Sequence, residues 1–182
     1  MKFPVIIAAA GIAASTILAT AQALAETKPE IDVSVRETLK QFDGLNSHNA
    51  HLLDNAAGTL VFPRVTKGGL GVAGQYGEGA LRVDGKTVGY YSVSSASIGL
   101  TVGAAKRSEV IVFTTQDALE KFTSSAGWSV GADTGVAVVS KGAGGDYDSQ
   151  TLQKPVVGFV FGEKGLIADL SLEGSKINKI ER

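Results

Sequence analysis

The chain has 182 residues, 44% of them hydrophobic and 19% charged, with a formal net charge of −1 and no cysteine. This composition suits one domain with its own core. It excludes a global basic field for nucleic acid, a disulfide scaffold and a lipoprotein N-terminus, which needs an acylated cysteine. The 23 glycines stand against 4 prolines and sit among β-branched and aromatic residues, as in a bent sheet rather than a disordered tract.

Residues 1–25 read as a signal peptide. Lys2 supplies the positive start, residues 3–19 are apolar, and Ala23-Leu24-Ala25 is an A-x-A cleavage signal. An uncleaved anchor needs about 20 apolar residues; the small residues of the second half and Gln22 argue against it. The expectation is export to the periplasm or beyond, with any membrane contact made by the folded domain.

Residues 26–30 form a polar linker. Ile31, Val35, Leu39, Phe42, Leu45, Leu52, Leu53 and Ala56 then recur mostly at steps of three and four, the period of amphipathic helices. Gly44 divides them into helices near 31–43 and 46–56, the second capped by Asn46 or Ser47 and ended by Gly58. Residues 26–57 are thus a linker and helices packed on a β-rich domain, 58–182.

After Gly58 the pattern is that of strands. Residues 59–65 are β-prone, with Pro63 demanding an edge or a bulge. Residues 70–76 and 80–83 follow, and Asp84-Gly85 is a hairpin turn into 87–93. Residues 94–102 read as another strand, and 109–114 as a short buried one. A helix is expected over 115–122, capped by Thr114 or Thr115 and stopped by Gly127. Residues 128–140 return to strand, 141–151 form a polar loop, and 156–161 pairs with 166–172 in a last hairpin. The fold class expected is α+β, a single domain of mainly antiparallel strands with N-terminal amphipathic helices and one mid-chain helix.

Four motif matches fail on context. Gly127-Trp128-Ser129-Val130-Gly131 has the spacing of a nucleophile elbow, which needs strand then helix; here helix precedes strand, and both histidines, His48 and His51, lie upstream. Gly69-Leu70-Gly71-Val72-Ala73-Gly74 has dinucleotide-loop spacing but no following helix start. Gly85-Lys86-Thr87 lacks the earlier glycine of a P-loop, that position being Ala80. His48 and His51 lie one helical turn apart with only Asp54 nearby, short of the ligand set a zinc site uses. No catalytic residue, metal or cofactor is expected.

Several segments carry a resemblance together. They are Val61-Phe62-Pro63 with Lys67-Gly68-Gly69; Gly71-Val72-Ala73-Gly74 with Gly77-Glu78-Gly79; residues 94–103, 109–113 and 117–122; and Ser171-Leu172-Glu173-Gly174. In this order they resemble the SYLF domain, also called Ysc84-like, over about residues 52–180. Gly-Tyr-Tyr-Ser and Gly-Trp-Ser-Val-Gly-Ala-Asp look like its exported bacterial branch. The resemblance implies lipid binding, with actin binding in some eukaryotic members, and no catalysis. Ala73 departs from a frequent glycine, and the SH3 or FYVE segments of eukaryotic relatives are not in this chain. Their phosphoinositide and actin ligands do not belong to a bacterial envelope, so the resemblance implies affinity for phospholipid or a membrane surface.

The residues offer two basic clusters for phosphates: Arg64 with Lys67 in a turn, and Lys106 with Arg107 between strands. Phe62, Leu70 and Tyr76 are the candidates to reach acyl chains. The mixed charge of the N-terminal helices, with Glu30, Asp32, Glu37 and Asp43 beside Arg36 and Lys40, fits packing on the sheet rather than lying on lipid. The rivals are a protein-interaction module recruiting an unknown partner through an exposed strand edge, and a hydrolase acting through Ser129.

Overall fold

The computed structural model describes residues 26–70, 72–98, 103–130, 137–139, 153–162, 165–166, 172 and 174–182. The expected signal peptide, the loop 141–151 and most of the last expected strand, 167–171, lie outside them. No described helix is long and apolar enough to cross a membrane.

Two helices come first, α1 (Lys28–Leu45) and α2 (Ser47–Asp54). Gly44 stays inside α1. The break falls at Asn46, whose extended backbone leaves the helix and whose Oδ1 accepts the His48 N–H at 2.9 Å. Ile31, Val35 and Phe42 of α1 are fully buried on the sheet, with Leu39, Leu45, Leu52, Leu53 and Ala56 partly covered beside them. Phe42 wedges between Phe159 and Phe161, its ring centroid 4.7 and 5.8 Å from theirs. Each such side chain contributes about 1.5–3 kcal/mol of burial, which fixes α1 to the sheet.

The strands are β1 (Gly58–Leu70), β2 (Val72–Val83), β3 (Lys86–Ile98), β4 (Gly103–Phe113), β5 (Trp128–Ser129), β6 (Ala137–Val139), β7 (Val156–Gly162), β8 (Gly165–Leu166) and β9 (Lys176–Ile180). They form one sheet in the order β5-β9-β3-β2-β1-β4-β7-β6, with β8 also on β7. All pairs are antiparallel except β6 with β7. The fold is α+β, a single domain with N-terminal helices and the mid-chain helix α3 (Gln116–Ser124), capped by Thr115.

The expected segments 59–65, 70–76 and 80–83 are two long strands, β1 and β2. The glycines that suggested breaks lie inside the ladder. Pro63 is not at an edge, because β1 sits between β2 and β4. It lies in a bulge: register runs from Val61↔Ala80 to Arg64↔Glu78, so Phe62 and Pro63 oppose Gly79 alone. There the strands approach so closely that a Cβ on Gly79 would stand 1.9 Å from the Val61 carbonyl oxygen. Ser108 Oγ donates to the Pro63 carbonyl at 2.9 Å across the bulge. The expected Asp84-Gly85 turn is present, with φ of 49° and 73°, joining Val83 to Lys86.

The other face of the sheet holds the larger core. Leu60, Phe62, Leu81, Val93, Ile111 and Phe113 meet Leu119 and Phe122 of α3, with Trp128 and Ile177. Phe122 is its hub, 5.0 Å from both Tyr91 and Phe113 and 5.3 Å from Trp128 between centroids.

Candidate functional site

Directly paired residues in a sheet share a face, and this regroups the sequence candidates. Lys106 pairs with Thr66, Thr66 with Tyr76, Tyr76 with Ser94, and Ser94 with Lys176. One rung thus crosses five strands, spanning about 19 Å at the usual strand spacing, with a lysine at each end. Its residues are exposed apart from Ser94, which is half-buried, and Tyr76 is 51% exposed. Arg64, two residues from Thr66, shares this face. The rung lies beyond the N-terminus of α1, where the helix no longer covers the sheet.

Lys67 points the other way, paired with Ala105 and Gln75. The expected Arg64–Lys67 turn cluster is therefore split across two faces, since both residues are in the straight run of β1. The Lys106–Arg107 cluster is split for the same reason, both being in β4. Leu70 is the last residue of β1, and its side chain lies outside what is described.

Two candidates are corrected outright. Phe62 is fully buried against the core and cannot reach a ligand at the surface. Arg107 is 5% exposed and is occupied. Its Nε donates to Glu109 Oε1 at 2.8 Å and its Nη2 to Gln75 Oε1 at 2.5 Å. Gln75 Nε2 in turn donates to Ser175 Oγ at 2.9 Å. This chain ties β4 and β2 to the start of β9. Glu109 is wholly buried, and its Oε2 has no partner among the described residues. Burial pushes its carboxyl above the ordinary range, against the pull of Arg107.

The exposed rung borders an open depression of about 640 Å³ lined by Glu26, Arg64, Thr66, Tyr76, Glu78 and Lys106, among others. Arg64 Nη2 meets Glu26 Oε1 at 2.6 Å, and both groups are solvent-accessible. At the opposite side Arg182 pairs with Glu78, and the Tyr76 hydroxyl donates to Glu78 Oε1 at 2.7 Å. Partial burial and this carboxylate push the Tyr76 phenol up to about 12, so it stays a neutral donor. Lys106 and Lys176 form no ion pair among the described residues and are free to meet an anion as mobile point charges. The arrangement suits contact with dispersed phosphate groups.

Lys176 was missed in the sequence because the chain after Gly174 was not read as structured. Its signal was the strand period of residues 176–180, where Ile177 is buried between exposed neighbours.

The structure places the described residues of the four motifs as follows. Gly69 lies near the end of β1 opposite Ala73 of β2, and Gly74 lies in β2 opposite Gly68. Gly85-Lys86-Thr87 is the β2–β3 turn. Ser129 lies on β5 opposite Lys176, after α3. His48 and His51 engage Asn46 and Asn55 at 2.9 and 3.2 Å, and no group of three metal-ligating side chains occurs among the described residues.

Residues 94–181 match the family model Ysc84, described as "Las17-binding protein actin regulator". The match begins within β3, so the central strands β1 and β2 precede it, although the sequence resemblance spanned residues 52–180. No curated protein matches the chain.

Proposed function

We propose that this chain, which belongs to the Ysc84 (SYLF) family through residues 94–181, is a non-enzymatic phospholipid-binding protein of the bacterial cell envelope. The observation that carries the reading is the exposed rung from Lys106 to Lys176, with Arg64 beside it. It gives a protein of net charge −1 a local cationic face on uncovered sheet. Each lysine near an anionic surface supplies about 1 kcal/mol, so affinity must be collective and salt-dependent. Tyr76 adds an amphipathic ring suited to a headgroup layer. The leader pattern of residues 1–25 supports an exported location, and the absence of cysteine makes the folded domain the membrane contact.

The test is co-sedimentation of the protein, purified after expression of the full chain, with vesicles. Binding to phosphatidylglycerol vesicles that weakens with salt, and weak binding to phosphatidylcholine, supports the reading. No binding to any phospholipid removes it.

A second reading has its own observation. β5 pairs β9 only at Lys176 and Ile177, leaving the outer edge of 178–180 without a strand neighbour among the described residues. The family description names a protein partner, and this edge suits strand addition by an extended peptide. A stoichiometric protein co-purifying without lipid favours it.

A further inference from the structure

Both arginines bordering the exposed rung are held by carboxylates, and the two holds differ in kind. Glu78 is buried in β2. It accepts from the Tyr76 hydroxyl at 2.7 Å and from Arg182 Nε at 3.0 Å, with a further bond from Arg182 Nη2. Its strand and two partners fix it in place. Glu26 precedes Thr27, the cap of α1, and its pair with Arg64 is open to water, the two side chains being 28% and 55% exposed. Exposed pairs of this kind contribute little to stability, so another anion can replace the carboxylate at small cost. Release of Glu26 leaves the helix start intact. The cap is closed by Glu30, whose Oε2 accepts the Thr27 N–H and hydroxyl at 2.8 and 2.7 Å.

The Arg64 fork is also under-used. One oxygen, Glu26 Oε1, accepts from both Nη2 at 2.6 Å and Nε at 3.2 Å, whereas a guanidinium edge is shaped to give each of two oxygens its own N–H. A phosphate group supplies those two oxygens and keeps a third for another donor. Such donors line the same depression. One is the Lys106 ammonium, which forms no ion pair among the described residues. The other is the Thr66 hydroxyl, directly opposite Lys106 and two residues past Arg64 on one face. The depression, at about 640 Å³, has room for a phosphodiester headgroup. The other acid described there, Glu78, is neutralised by Arg182. Displacing Glu26 therefore leaves Arg64 and Lys106 to act on an incoming anion.

We propose that this depression seats a single phospholipid phosphate on Arg64, Lys106 and Thr66, and that Glu26 occupies Arg64 until that phosphate displaces it. The inference rests on the phospholipid-binding reading and adds a defined headgroup site with an internal competitor. A double-mutant cycle tests it by vesicle co-sedimentation, on protein purified after expression of the full chain. Glu26→Gln removes the competing charge and binds phosphatidylglycerol vesicles about threefold more tightly, within the range open to an exposed ion pair. Arg64→Gln binds them more weakly, and in that background Glu26→Gln adds nothing. Unchanged Trp128 emission establishes that each variant is folded. An equal gain in both backgrounds marks a general effect of net charge and overturns the displacement. No gain in either background overturns it too, and both results leave lipid binding standing. Arg64→Gln binding as tightly as the unaltered chain overturns the site itself. Failure of every variant to co-sediment removes the site and the phospholipid reading together. Calorimetric titration with inorganic phosphate separates the two sources of the group: binding of the free ion without any vesicle binding assigns the site to a soluble phosphate and overturns the lipid.

Discussion

Replacing Arg107 by methionine should make the stability of the fold strongly pH-dependent. The substitution replaces a buried cation by an uncharged side chain of similar length and leaves Glu109, wholly buried, without its guanidinium partner. A buried carboxylate without its partner costs about 3–5 kcal/mol unless it takes up a proton. Protonation is the cheaper route. From the ordinary value of 4.5, each pH unit costs about 1.4 kcal/mol, hence about 3.4 kcal/mol at about pH 7 and under about 1 kcal/mol at about pH 5. The sign follows from a folded-state pKa above the unfolded one: the stabilisation is full below 4.5 and is lost as pH rises toward the folded value. Urea unfolding followed by Trp128, the single tryptophan and a core residue, reads both conditions. Arg107→Met/Glu109→Leu should recover most of the loss at neutral pH, since apolar replacement of a buried pair is often neutral. A penalty below about 1 kcal/mol at about pH 7, or the same penalty at both pH values, would refute the reasoning.

Other positions give sharp contrasts. Gly79→Ala should cost at least about 3 kcal/mol, the upper end of overpacking, because its methyl would overlap the Val61 carbonyl. Gly74→Ala should be tolerated, its nearest neighbour being the Ser95 carbonyl at 3.9 Å; thermal unfolding of the two variants compares them directly. Phe42→Ala should cost about 3–5 kcal/mol by emptying the wedge between Phe159 and Phe161, measured as a lowered urea midpoint. The Tyr76 phenol should titrate near 12, seen as the ultraviolet difference between the protein and Tyr76→Phe, and Glu78→Gln should move that titration down.

The eight apolar residues read at helical spacing from Ile31 to Ala56 all lie in the cluster under α1 and α2. Their period survives in the sequence because only one face of each helix is buried. The Asp84-Gly85 turn and the Thr115 cap were equally legible, being local hydrogen-bond and backbone-angle requirements. The long strands were not, since Gly68, Gly69, Gly74 and Gly77 look like breaks until both neighbours supply a ladder. The face of each basic residue was also hidden. Arg64 and Lys67, three residues apart in the regular run of β1, fall on opposite faces, and the register with β4 puts Arg64 on the face of Lys106. Arg107 looked like a surface cation although strand alternation puts Glu109, two residues on, on its face, because the burial and the Gln75 contact come from β2, distant in sequence.

The most direct test of the central claim is vesicle flotation of charge reversals on the exposed rung. Lys106→Glu and Lys176→Glu together should reduce binding to phosphatidylglycerol vesicles by well over tenfold, since each reversal removes about 1 kcal/mol of attraction and adds repulsion. Lys86→Glu, beside the turn at the opposite end of the sheet, should change binding little. Equal losses from all three, or none from the rung pair, would contradict a phospholipid contact at this face.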